Sequence, residues 1–352
     1  MNSKERVRLA IQHETPDYVP AYMDCVPEIW EKLMKKYKVD SIEAVQNHFL
    51  IDIRTVGVPY IGPELGKRKN AKGETEYQSD FGYWYKKVWN GVEYNVVTTE
   101  YPVDSIDTIE GLANFNWPNP DNYNYEAIKY ACEKNKGKAI QIGWPGPYQV
   151  ITYFRNAEKF YMDMALEPDY TKAMLKHYMD FVLEHYERMF IAADGQIDLL
   201  KTCDDYGTQC SMLFSVDMWR EYFKENTKKL VNLAHKYGAY FMQHSCGAVR
   251  PVIPELIKCG VDALDPIQKV IGMEAEGLKR DFGDKLTFHG GIDTQNILPL
   301  GTPEQVAKES RYFIETLNKN GGYIFGPSQA LEGDVPVENI EAMYETRRVM
   351  IG

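Results

Sequence analysis

Eight short β-like runs alternating with amphipathic stretches, a two-residue-period segment around Asn90-Gly91, and no GxGxxG turn after an early strand predict a (β/α)8 TIM barrel with an inserted β-hairpin near residues 66–103. Barrels of this class occupy roughly 200–250 residues or more as one unit, so 352 residues suit a single domain over 1–352 carrying that insertion. A doubly wound open sheet competes, and the missing dinucleotide fingerprint weighs against it.

A helix from near Ser3 leads into the first run, Tyr18–Met23 (YVPAYM), and a helix from near Ser41 leads into the second, Ile51–Gly57 (IDIRTVG). The alternation then breaks. GYWYKKVWNGVEYNVVTTEYPV has period two on both sides of Asn-Gly, the strongest short hairpin signal. The hairpin either covers the barrel mouth or decorates the surface. From Lys138 onward six runs follow: Lys138–Gly143, Ile197–Thr202, Ala239–Gln243, Val261–Leu264, Leu286–His289 and Tyr323–Phe325. Helical patterns such as Glu167–Ala192 and Val216–Lys236 separate them, with apolar residues at intervals of three and four.

Composition narrows the partners. Acidic side chains outnumber basic ones 51 to 40, and the net charge of −11 disfavours nucleic acid and anionic membrane surfaces. No apolar run approaches the ~20 residues of a membrane span. Charges interrupt the first residues, MNSKERVRLAIQHETPD, where a signal peptide would be continuously apolar, so a cytoplasmic location is expected. Six cysteines without a CxxC pair fit free thiols in a reducing compartment.

In a barrel, chemistry sits in the loops at the carboxyl ends of the strands. His244-Ser-Cys246 closes one run, and an imidazole with a thiolate two residues on is a pair that zinc accepts at about 2.0–2.3 Å. A buried cysteine beside a hydrogen-bonded histidine is the alternative. A third ligand is open among Asp204, Asp205, Asp293, Gln329 and Glu332, with Cys203 and Cys210 dependent on strand-end geometry; Cys259 is expected in the core. Asp204 and Asp205 are the candidate catalytic carboxylates. Adjacent carboxylates seldom face the same way, so one is expected in the pocket and the other at a helix cap or in solvent. Asp52, Trp144, Gln209, Asp293 and Gln329 are candidate substrate-binding residues. Asp52 needs a partner if buried, and Arg54 on the same strand face would make a structural ion pair as readily as a site.

These motifs resemble the uroporphyrinogen decarboxylase superfamily and, within it, the branch of cobalamin-dependent, zinc-containing methyltransferases. The likeness is carried by TPDYVPAYMD, FLIDIR, GWPGPY at 143–148, DDYGTQ, HSCG at 244–247, GVDALDPIQ at 260–268, FGDKLTFHGGIDTQNIL at 282–298, GGYIFGPSQ and VPVENI. It implies a barrel enzyme that moves a methyl group between a small molecule (a methoxylated compound, methylamine, thiol or pterin) and a corrinoid on a separate protein. It also implies zinc on His244 and Cys246. The branch takes its third ligand from a cysteine in the C-terminal glycine-rich loop, and here that loop reads Ser328-Gln329, which points to an oxygen ligand or to a relative without zinc. Asp52 matches the decarboxylase's catalytic aspartate, but AYMDCVPEIW has no arginine where the decarboxylase grips its substrate's carboxylates. The alternatives are a metal-independent decarboxylase or lyase acting on another acid, and a non-catalytic barrel that binds a corrinoid or methylated ligand.

Overall fold

The structure is a computed structural model and describes residues 1–350. The first strand, β1 (Ile53–Thr55), precedes a group of four, β2 (Lys67–Lys69), β3 (Thr75–Gln78), β4 (Trp84–Trp89) and β5 (Tyr94–Glu100). Six more follow: β6 (Ala139–Ile142), β7 (Leu199–Cys203), β8 (Tyr240–His244), β9 (Ala263–Asp265), β10 (Thr287–His289) and β11 (Tyr323–Ile324). Strands β1 and β6 to β11 form one parallel, curled seven-stranded sheet in chain order, with helices between them.

The six runs expected after residue 138 all appear, shifted by a residue or two at their ends. The run at Tyr18–Met23 does not form a regular strand. Its Ala21 makes a single parallel bridge to Phe325, and the Ala21 carbonyl accepts the Asp52 N–H at 2.9 Å, so the segment lies between the two edges of the sheet. A ladder fails there for two reasons. Pro20 has no N–H, and the Ala21 N–H goes to the Asp52 side chain at 2.9 Å instead of to backbone.

The insertion is larger than a hairpin. β2 to β5 form a four-stranded antiparallel meander. The β2–β3 turn uses Asn70, whose Oδ1 accepts the Lys72 and Glu74 N–H groups. The expected Asn90-Gly91 turn joins β4 to β5, with Asn90 Oδ1 accepting the N–H groups of Val92 and Glu93. Its tip reaches the loop after β11, where Glu93 Oε2 accepts the Gly333 N–H at 3.0 Å. The base of the meander stacks Tyr83 on Tyr153 of the helix Pro147–Phe154, with ring centroids 5.1 Å apart. Both contacts lie on segments that leave carboxyl ends of the parallel strands.

Two apolar clusters hold the sheet. Ile53, Ala139, Leu199, Met242, Ala263 and Ile324 contribute one residue each from β1, β6, β7, β8, β9 and β11, and pack around Val7 and Ile11 of the helix Ser3–Ile11. These same-face residues fill the concave side. Alternate residues such as Ile140, Leu200, Phe241, Leu264 and Phe288 join the larger cluster beneath the surrounding helices. Among the described residues, no helix is long and apolar enough to cross a membrane.

Candidate metal and active site

Two residues beyond the apolar interior positions of β1 and β6 to β9, on the same strand face, the chain switches to polar groups, Thr55, Gln141, Lys201, His244 and Asp265, and β10 presents Thr287 and His289 on that face. Parallel register brings Cys203, His244 and Asp265 to one level, because Cys203 pairs with His244 and His244 with Asp265, while Lys201 pairs with Met242 one pleat below. His289 stands level with Asp265, one step beyond the Phe288–Leu264 pair.

His244 is the centre of this row. It is 5% exposed, and its Nδ1 lies 2.5 Å from Asp265 Oδ2. Its Nε2 faces three donors: Asp205 Oδ1 at 3.3 Å, Cys246 Sγ at 3.4 Å, and Cys203, whose sulfur forms with Asp205 and His244 a group of ligand atoms all within 4.8 Å of one another. Burial opposes a charge on the imidazole, but Asp265 and Asp205 outweigh it and hold its pKa well above the ordinary histidine value. Burial likewise opposes the Asp205 anion, yet the His244 contact and the Cys246 N–H, donating at 2.9 Å, bring that carboxyl below its usual range. Burial pushes both the Cys203 and the Cys246 thiols up. Asp265 is 3% exposed; its burial is offset by Lys201, His289 and His244, which keep it well below the ordinary carboxylate range. Lys201 Nζ sits 2.6 Å from Asp265 Oδ2, while His289 Nδ1 contacts Asp265 Oδ1.

The donor loops are locked to one another. Gly247 has φ of +88°, and a Cβ there would lie 2.5 Å from the Gly207 carbonyl carbon, so backbone meets backbone between the loops after β7 and β8. Ala248 N–H donates to Thr208 O at 2.8 Å, and Gly247 N–H donates to Gln268 Oε1 at 2.6 Å.

This arrangement can be set beside known proteins. The model of the uroporphyrinogen decarboxylase (URO-D) family matches residues 90–350, about three quarters of the chain. The chain belongs to the uroporphyrinogen decarboxylase family. Its curated relatives are distant: uroporphyrinogen decarboxylase of Rickettsia massiliae is 22% identical over 247 residues, covering 64% of each chain, and that of Rickettsia canadensis is 21% identical over 243 residues, covering 63% of this chain and 64% of its own. The match thus spans less than two thirds of those relatives' length. Among solved structures, a methyltransferase from Methanosarcina mazei superposes over 100% of both chains with a TM-score of 0.68 at 19% identity, a likeness of fold.

Not every residue singled out from the sequence reaches the row of polar groups in this member of the uroporphyrinogen decarboxylase family. Asp204 and Asp205 diverge. Asp205 faces His244, whereas Asp204 is fully buried and caps the helix Pro147–Phe154, accepting the Tyr148 and Gln149 N–H groups at 2.8 and 2.9 Å and the Tyr206 hydroxyl at 3.0 Å. Burial pushes Asp204 up to about 7 against those donors. Asp52 lies at the amino end of β1, away from the row, and is fully buried between Arg6 at 2.6 Å and Arg347 at 2.7 Å. Arg54 is not its partner; that guanidinium bonds to the Ile51 and Ile53 carbonyls and to Asn47. Asp293 is held by its own turn, accepting the Gln295 and Asn296 N–H groups. Trp144 is 57% exposed on the loop after β6, and Gln209 and Cys210 are exposed on the loop after β7. Gln329 Nε2 comes within 3.5 Å of Cys246 Sγ, while Ser328 turns to Thr294. Glu332 sits near Glu93, its carboxyl raised by burial. Cys259 is buried, as a core residue. Sequence reasoning gave no site role to Lys201, although a lysine at the inward position of an otherwise apolar strand, LLKTC, is a readable sign of it.

Proposed function

We propose that this chain is a methyltransferase of the uroporphyrinogen decarboxylase family that exchanges a methyl group between a small molecule and a corrinoid on a separate protein, within an eight-stranded barrel that the Tyr18–Met23 segment completes. One observation carries the reading: an imidazole nitrogen, two thiols and a carboxylate converge at the carboxyl ends of β7 and β8. That donor set fits zinc, which takes nitrogen, sulfur and oxygen ligands in a tetrahedron and keeps one position open when catalytic. His244 and Cys246 would hold the ion, with Cys203 or Asp205 as third ligand. Cys203 would supply from β7 the thiolate that the C-terminal loop does not provide.

Bound zinc would supply Lewis acidity for activating a methyl donor or acceptor. The chain's own groups do the rest. Gln329 places a side-chain N–H on the Cys246 sulfur, where it favours the thiolate. Trp144 and Gln209 are exposed on the loops after β6 and β7, available to a flat or amphipathic substrate. The resemblance to the corrinoid-dependent branch and the fold shared with the Methanosarcina mazei methyltransferase support the reaction class. The resemblance to that branch is also what assigns the corrinoid to a partner protein.

The test is metal analysis of the purified protein together with the His244→Ala/Cys246→Ala double variant, assayed for methyl transfer with a corrinoid protein. One zinc per chain, lost with activity in the variant, is the expected result. Zinc content and turnover unchanged in the variant would overturn the assignment, and a metal-free wild type that transfers no methyl group but decarboxylates an acid would favour a decarboxylase or lyase.

A further inference from the structure

Resting on the zinc reading above, we infer that Asp265 is the positioning residue of the metal centre: it fixes the ring of His244 with Nδ1 as donor, leaving the Nε2 lone pair aimed at the ion, and Lys201 in contact with its Oδ2 holds it in place.

Cys203, His244, Asp265 and His289 occupy one level on four adjacent parallel strands, so the order across the sheet is thiol, imidazole, carboxylate, imidazole. A carboxylate in third place can touch both rings, and the structure shows it doing so: Oδ2 takes His244 Nδ1 at 2.5 Å and Oδ1 meets His289 Nδ1. Lys201 enters from one pleat below Cys203, on the same face of β7, and its long side chain brings Nζ to Oδ2 at 2.6 Å. A neutral imidazole donates from one nitrogen and accepts at the other. With Asp265 taking the Nδ1 proton, the accepting nitrogen is Nε2, the atom that faces Asp205, Cys246 and Cys203. A metal-bound histidine whose second nitrogen donates to a carboxylate is a recurrent device that sets ring orientation and ligand basicity.

Lys201 is what makes a carboxylate tenable at this depth. Asp265 is 3% exposed, and an isolated anion there would be too costly to hold. A buried ammonium in contact supplies the compensating charge without occupying a position at the ion. The apolar plug beneath, with Leu199, Met242 and Ala263 on the same three strands, prevents the row from sinking or rotating. Asp265 lies outside the donor group itself, so its effect reaches the ion only through His244.

The experiment measures zinc affinity by competition with a chromophoric chelator in wild type, Asp265→Ala, Asp265→Asn and Lys201→Met, alongside the visible spectrum of each protein loaded with cobalt(II). Asp265→Ala is expected to weaken zinc binding about 10- to 100-fold. Asp265→Asn should lose less, because an amide oxygen still accepts from Nδ1, and it serves as the folded comparison if the alanine variant is unstable. Lys201→Met should shift affinity in the same direction, and all three should alter the cobalt spectrum. Tight zinc binding and an unchanged spectrum in both Asp265 variants overturn the positioning role while leaving the zinc site intact; a wild type that binds no zinc overturns both readings.

Discussion

Replacing Asp52 with alanine should cost stability rather than chemistry, although the sequence makes it a candidate substrate-binding residue. Its Oδ1 accepts from Arg6 at 2.6 Å, and its Oδ2 accepts from Arg347 at 2.7 Å and from the Ala21 N–H at 2.9 Å. Asp52 and Arg347 are at most 1% exposed and Arg6 is 3% exposed, so water cannot replace the lost carboxylate. Breaking one side of a buried ion pair costs about 3–5 kcal/mol, because the partner charge is stranded. Both arginines keep other acceptors, Asp17 for Arg6 and the Val19 and Leu50 carbonyls for Arg347, which places the expectation near the lower end, about 3 kcal/mol. With an unfolding entropy of about 2.1 cal/mol/K per residue, that corresponds to a melting temperature lower by roughly 4 °C for a chain of this length. Calorimetry on wild type and Asp52→Ala, with zinc content measured on the same samples, provides the assay. A melting point within a degree of wild type, or loss of turnover at unchanged stability, would refute the structural role.

The adjacent carboxylates should separate by readout: Asp204→Ala removes a helix cap and is expected to lower stability by about 1–2 kcal/mol in thermal melts, whereas Asp205→Ala should weaken zinc binding in chelator competition. Gly247→Ala places a Cβ 2.5 Å from the Gly207 carbonyl carbon at a φ of +88°, so it should push the two donor loops apart and lower zinc affinity, as the same competition would detect. Glu255 carries a pH signature away from the site. Arg220, Lys258 and Lys224 hold its carboxyl down at about 2, so its contribution to stability is complete above about 4.5 and is lost as the pH falls toward 2. Because those cations are partly exposed, about 1–2 kcal/mol is expected, and Glu255→Gln should flatten the acid limb of a stability-versus-pH curve by that amount.

What the sequence disclosed, and what it hid, follows from the range of each signal. Parallel strands buried on both faces appear as short apolar runs, so β6 to β11 were legible. β2 and β3 were not, since KRK and TEYQ lie in an insertion exposed enough to show no clear apolar alternation. Asp52 shows the limit of local reasoning: spacing favours Arg54, two residues away, while the actual partners lie 46 and 295 residues distant and are united only by the fold. Cys203 was left open among the third-ligand candidates for a smaller reason. Ending its strand one residue early at Thr202 leaves the thiol in a loop of undefined direction; ending it at Cys203 puts the thiol on the inward face, beside His244.

The inward face also explains why the candidate site lies where it does. Along β7 the same-face residues are Leu199, Lys201 and Cys203: plug, counter-charge and donor thiol in successive pleats. On β8, Met242 is followed by His244, and on β9, Ala263 by Asp265. Each strand therefore passes from dry packing to charge within one alternation, and the polar groups are fixed from below by side chains that cannot move without opening a cavity. A carboxylate, an ammonium and two imidazoles that strained toward water in a mobile loop would be costly to hold in register. On four adjacent strands the ladder sets their spacing, and the freedom that remains belongs to the loops above, where Trp144, Gln209 and Gln329 are exposed and where differences in substrate between members of the family would have to be written.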